Sequence, residues 1–120
     1  MNALIILAHG SRRSESNLEI KKLAEKVKTL AESDYCVVDY AYLEIAEPNL
    51  LYCIDKTVEK GMTEITVLPY FLNSGIHVER DIPAIIKTAT EKHPDCKFKV
   101  SSCIGMSKEM PAMILERAKL

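Results

Sequence analysis

Short apolar runs alternate along the chain with longer stretches in which apolar residues recur every three or four positions. Ala3-Leu4-Ile5-Ile6-Leu7-Ala8 is apolar without side alternation, the pattern of a strand covered on both faces. Ser16, with Glu19 three residues on, reads as a capping box. The segment around and beyond it carries Ile20, Leu23, Ala24, Val27, Leu30 and Ala31, which form one apolar helical face. Residues 35–43, rich in Val and Tyr, predict a second strand. Glu47-Pro48-Asn49 then opens a second helix, with Leu51, Cys53, Ile54 and Val58 inward and Gly61 as its stop. Residues 65–68 predict a third strand, and Pro69, which cannot donate to a ladder, should end its pairing. Residues 70–76 follow as a loop. A third helix is expected over 78–92, where Pro83 marks either a separate first turn or a bend, and His93-Pro94 ends it. Phe98 and Val100 alternate with Lys97 and Lys99, as in a half-exposed edge strand. Residues 106–119 predict a closing amphipathic helix carrying Met110, Met113, Ile114 and Leu115.

The order β-α-β-α-β-α-β-α implies an α/β fold: a four-stranded parallel sheet with helices on both faces, layered as in flavodoxin-like folds. With 120 residues, 48% hydrophobic and 28% charged, residues 1–120 are expected to form one domain around a small core. The formal net charge of −1 removes any electrostatic case for nucleic acid or an anionic membrane. The apolar run at 3–8 is too short to span a bilayer and has no basic region before it, so a cytoplasmic protein is expected. Cys36, Cys53, Cys96 and Cys103 form no CxxC or CxxH pair and sit in apolar surroundings. They are expected to be buried thiols in a reducing compartment.

In a parallel sheet of this kind ligands bind beyond the carboxyl ends of the strands. Three residues able to do chemistry fall there: His9 directly after the first strand, Glu44 after the second, and His77 after the loop of the third. The first and third strands are the most apolar and are expected to be central neighbours, which lets His9 and His77 converge. Gly10-Ser11 beside His9 fits a close backbone approach to a ligand. Neutral imidazole binds first-row divalent metals and accepts protons near neutral pH. Two histidines and one carboxylate would leave coordination positions open, which suits a transient site better than a structural one. His93, at a helix end before Pro94, is read as structural.

Ala8-His9-Gly10-Ser11-Arg12, then Leu43-Glu44-Ile45-Ala46-Glu47-Pro48, then Leu68-Pro69-Tyr70-Phe71-Leu72 with Gly75-Ile76-His77-Val78 and Asp81-Ile82-Pro83, resemble the small, single-domain sirohydrochlorin cobaltochelatase family. The resemblance runs over essentially the whole chain and implies a chelatase-like fold. Larger relatives carry two copies of such a unit, so a single copy implies a homodimer enclosing the cleft. It implies lyase-type insertion of Co²⁺ into sirohydrochlorin, on the way to cobalamin, with Fe²⁺ (siroheme) or Ni²⁺ (a nickel tetrapyrrole) as the alternatives. The metal is then a substrate, and no permanently bound cofactor is implied. Carried over by position, His9 and His77 would be metal ligands, and His9 with Glu44 would handle protons. Glu44 and the loop residues Phe71, Leu72, Asn73, Ser74, Gly75 and Ile76 would contact the macrocycle, whose carboxylates make Arg12, Arg13 and Arg80 candidate rim cations. The chain lacks the histidine-rich tract that some relatives carry.

Three other readings compete. A histidine phosphatase places an arginine directly before the strand-end histidine, and here that position is Ala8. A non-catalytic metal or tetrapyrrole carrier needs the same ligands as a chelatase. A purely structural flavodoxin-like module leaves the clustering of His9, Glu44 and His77 unexplained.

Overall fold

Strand β1 (Asn2–Ala8) is the centre from which the rest is built. Its residues Ala3, Ile5 and Leu7 are fully buried on one face, and Ile6 and Ala8 nearly so on the other. That is why the run needs no polar alternation. The computed structural model describes residues 1–119, and the side chain of His77 lies outside the described set.

The remaining elements are α1 (Ser14–Ala31), β2 (Val37–Tyr42), α2 (Leu50–Glu59), β3 (Glu64–Pro69), α3 (Ile76–Lys92), β4 (Lys97–Val100), a 3-10 turn at Ile104–Met106, and α4 (Met110–Ala118). All strand pairs are parallel, in the order β2-β1-β3-β4, as the alternation of patterns predicts. The first crossover leaves β1 for β2, and the second returns across β1 to β3. Right-handed connections therefore put α1 on one face and α2 with α3 on the other. The main core lies on the latter side, where Leu50, Cys53 and Ile54 of α2 and Ile82 and Ala89 of α3 meet Ala3, Ile5, Leu7, Ile65 and Val67. No helix among the described residues is long and apolar enough to cross a membrane.

Several local expectations need correction. Helix α1 begins at Ser14 with Arg13 as its N-cap and no side-chain cap, so the expected capping box at Ser16 and Glu19 is not formed. The amides of Ser16 and Asn17 bond to the Arg13 carbonyl instead, which places Ser16 inside the first turn. On the apolar face of α1 only Ala24 is buried, and Leu30 is 83% exposed. By contrast Asn49 caps α2 as its sequence context suggests, accepting from the Tyr52 amide at 2.8 Å. Strand β3 ends on Pro69, which is still paired with Leu7 of β1, while pairing with β4 stops at Val67 and Val100, on the side where the missing N–H of Pro69 would be needed. Helix α3 starts earlier than expected and runs through Pro83 without a separate first turn. The pyrrolidine nitrogen there cannot bond to the Glu79 carbonyl.

The closing helix is split. Pro111 lacks an amide to continue a helix from Met106, so the chain leaves the 3-10 turn and restarts as α4 with the proline in its first turn. Met113, Ile114 and Leu115 are then 54%, 60% and 68% exposed. Of the four cysteines, Cys53, Cys96 and Cys103 are buried, but Cys36, which precedes β2 at the amino edge of the sheet, is exposed.

His93 caps α3 and donates from Nε2 to Asp55 of α2 at 2.7 Å, while Lys92 Nζ donates to the same carboxylate at 2.6 Å. The structural reading of His93 fits this placement. Burial pushes the Asp55 carboxyl up, but the hydrogen bonds and charge of His93 and Lys92 outweigh it and hold the group below its ordinary value. A depressed carboxyl stabilises the fold above its unfolded pKa, about 3.9, and loses that contribution as pH falls through the lower folded value. Asp55→Asn is therefore expected to cost about 1 kcal/mol at pH 7 and to flatten the loss of stability below about pH 4. Urea melts across pH test this, and an unchanged acid limb would contradict it.

Candidate functional site

All four strands end on one edge, and the crevice where the sheet order reverses lies between β1 and β3. His9 leaves β1 at this crevice. Its backbone is tied to the chain beyond β2, with Leu43 N donating to Ala8 O at 2.8 Å and Glu44 N to His9 O at 3.0 Å. On the other side Tyr70 N, just past β3, donates to Leu7 O at 2.7 Å. Gly10 is obligatory in this arrangement. Its φ is +100°, and a Cβ there would stand 1.9 Å from the Glu44 carbonyl oxygen.

The structure brings His9 and Glu44 together. His9 Nε2 donates to Glu44 Oε1 at 2.9 Å, and the side chains are 50% and 61% exposed. The other ring nitrogen, Nδ1, lies 3.1 Å from the Gly10 carbonyl oxygen. Both nitrogens thus face oxygen acceptors, so any ion that His9 binds must replace one of these contacts. An ion pair this exposed adds only about 0–1 kcal/mol to folding. Stability is a poor reason for the pair, and reactivity a better one. Glu44→Gln is expected to lower the melting temperature by no more than about 4 °C, as a thermal melt would show.

Position 77 is the second residue of α3, directly after the loop that follows β3. The expected role of His77 as a ligand depends on its side chain, which is outside the described residues. Among the described residues no group of three His, Cys, Asp or Glu side chains is arranged to hold a metal.

The loop after β3 is mostly open: Leu72, Asn73, Ser74, Gly75 and Ile76 are exposed, whereas Phe71 packs against the core. Phe71 therefore supports the loop from beneath. Tyr70, Leu72 and Ile76 are 41%, 69% and 69% exposed and place apolar side chains in solvent along this segment. Ile45 adds to it, 58% exposed and next to Glu44. Its φ is +73°, strained for a β-branched residue, and it sits in a tight turn closed by Ala46 N donating to Glu44 O at 2.8 Å. Strain of this kind gathers at functional sites. Sequence patterning gave no sign of it, because nothing in Leu43-Glu44-Ile45-Ala46 marks a positive φ. An apolar hollow of about 670 Å³ opens alongside, between α3 and the chain after β4. It is lined by Ser74, Val78, Ile82, Ile86, Cys103 and Met106 among others, and neither His9 nor Glu44 reaches it. Of the candidate rim cations, Arg13 is engaged with Glu15 at 2.9 Å.

The four-stranded parallel sheet matches those of solved chelatases. The CbiX family profile matches residues 3–120, and the chain belongs to that family. It is 38% identical over 93 residues to a protein of Methanocaldococcus jannaschii named sirohydrochlorin cobaltochelatase, covering 78% of this chain and 64% of that protein. It is 31% identical over 104 residues to the chloroplastic sirohydrochlorin ferrochelatase of Arabidopsis thaliana, covering 87% and 45%. The crystal structure of the sirohydrochlorin chelatase SirB from Bacillus subtilis subspecies spizizenii in complex with cobalt superposes with a TM-score of 0.88 at 27% identity. That match covers 98% of this chain and 50% of the other. The match thus spans between 45% and 64% of the length of these relatives.

Proposed function

We propose that this chain inserts a divalent metal, Co²⁺ in the first instance, into sirohydrochlorin. The observation that carries the reading is the exposed His9–Glu44 pair at the switch point of a chelatase-family sheet, where it does little for stability. Metallation strips water from the ion and removes two protons from the pyrrole nitrogens. His9 and His77 are the ligands that present the ion, with open positions left for the macrocycle. His9 and Glu44, in contact through His9 Nε2, are the groups that take up the pyrrole protons. Leu72, Asn73, Ser74, Gly75 and Ile76 bear the ring from one side, with Ile45 and Tyr70 extending the platform. The cobalt-bound SirB structure supports Co²⁺, and the ferrochelatase relatives keep Fe²⁺ as the alternative. Imidazole nitrogen binds Co²⁺, Fe²⁺ and Ni²⁺, and Ni²⁺ is the third candidate.

A panel of Co²⁺, Ni²⁺ and Fe²⁺ with sirohydrochlorin, followed by absorbance under anaerobic conditions, tests this. The expected result is many turnovers, fastest with Co²⁺. Spectral change that stops at one equivalent per site would favour the carrier reading, and no change would sink both.

The working unit is a homodimer on this reading. The apolar face of α4 and Met106, which is 65% exposed beside the hollow, are surfaces that a second copy can cover. The SirB chain, twice the matched length, is consistent with a partner unit of similar size. Ile114→Asp is expected to shift the chain to a monomer in analytical ultracentrifugation and to remove insertion activity, and a dimer that survives the change would contradict this interface. A cytoplasmic setting belongs to the same reading, supported by three buried free thiols that suit a reducing compartment.

A further inference from the structure

The loop that carries His9 is pinned at two points, and only one of them belongs to the sheet. At its start the backbone of His9 is held by Glu44 N. At its end the whole peptide face of Ser11 is held by one side chain: Ser11 N donates to Asn17 Oδ1 at 3.0 Å, and Asn17 Nδ2 donates to Ser11 O at 2.7 Å. Between the two points lies Gly10, with its φ of +100°. Asn17 is itself anchored, since the Tyr42 hydroxyl donates to its carbonyl oxygen at 2.6 Å. Tyr42 is 2% exposed, and burial, then the neighbouring Tyr40, push its hydroxyl above the ordinary value, so it stays a neutral donor. The chain of contacts runs from β2 through Tyr42 and the first turn of α1 to the loop after β1.

We propose that Asn17 is a positioning residue for His9, fixing the loop so that the imidazole meets the metal in one orientation. The inference rests on the reading of His9 as a metal ligand. The His9 ring is half-exposed and is held by two polar contacts, so its aim depends on its backbone. Asparagine suits the task because one planar amide supplies the donor and the acceptor that Ser11 requires. Aspartate would keep the acceptor for Ser11 N and set an oxygen against the Ser11 carbonyl. Alanine would release both. No sequence signature announces this, because the partners stand six residues apart across a loop and a helix start.

The test is Co²⁺ alone, titrated by calorimetry into wild type, Asn17→Ala, Asn17→Asp, His9→Ala and the His9→Ala/Asn17→Ala double variant, with insertion kinetics alongside. Loss of an outer partner of a metal ligand typically costs about 10–100-fold in metal affinity, and a loss in that range is expected for Asn17→Ala. Asn17→Asp, which retains one bond but opposes an oxygen to the Ser11 carbonyl, should lose a comparable amount. Turnover should fall while KM for sirohydrochlorin stays within about twofold, since Asn17 acts through the metal ligand. The deciding comparison is the double variant. If Asn17 acts through His9, its removal adds no further loss once His9 is gone. Equal losses in both backgrounds, or unchanged Co²⁺ affinity in Asn17→Ala, would overturn the proposal while leaving the metal reading in place. A wild-type chain that binds no Co²⁺ would instead overturn the metal reading, and the positioning role with it.

Discussion

His9→Ala is expected to lower the rate of metal insertion by about 100-fold or more, with the melting temperature nearly unchanged. The two halves of this expectation come from the same geometry. The ring packs into no core, and its ion pair with Glu44 is exposed on both sides, so little folding energy is at stake. Its place where β1 ends, beside the switch point, puts an imidazole at the crevice where ligands of such sheets bind. Steady-state absorbance with sirohydrochlorin, paired with thermal melts, measures both halves. Turnover near that of wild type would remove His9 from the mechanism, and a large drop in stability would mean its role is structural.

The second large effect concerns Gly10. Gly10→Ala forces a side chain into a backbone conformation at φ +100° that L residues rarely adopt, and it sets a Cβ 1.9 Å from a carbonyl oxygen of the Glu44 backbone. Backbone must move to relieve this, and the part that moves is the segment bearing both His9 and Glu44. A loss of about 2–4 kcal/mol of stability is expected, together with most of the activity. Gly61 supplies the control. It also has a positive φ, +91°, but a Cβ there meets nothing within 4 Å. Gly61→Ala should therefore cost only the conformational part, about 1–2 kcal/mol, and leave insertion intact. Chemical denaturation of both variants checks the contrast, and equal costs would mean that the contact with Glu44 is not what makes Gly10 necessary.

The sheet was readable from the chain because its evidence is local. The short unbroken apolar run at the start has the length and pattern of a strand covered on both faces, and Pro69 marks the end of β3 by what it cannot donate. Asn49 before α2 and Pro94 after α3 were equally plain. Features that depend on distant partners were not readable. Ser16 and Glu19 have the spacing of a capping box, but the helix had already begun at Ser14. The split before α4 follows from Pro111, a signal present in the sequence and overridden by the amphipathic pattern around it. Leu30 and the apolar face of α4 fit helical periodicity and yet stay exposed. For the site, His9 and Glu44 were identifiable as strand-end residues, and their 2.9 Å contact follows from the neighbouring register of β1 and β2. Asn17, Tyr42 and the strained Ile45 were not, because tertiary hydrogen bonds and a positive φ leave no periodic trace.

The central claim is that His9 and His77 together receive the metal at the carboxyl edge of the sheet. Anomalous diffraction from crystals soaked in Co²⁺ tests it most directly. A single strong peak is predicted within bonding distance, about 2 Å, of one ring nitrogen of His9 and one of His77. A peak at His93 and Asp55 on α2 and α3, or one that touches His9 without His77, would contradict it.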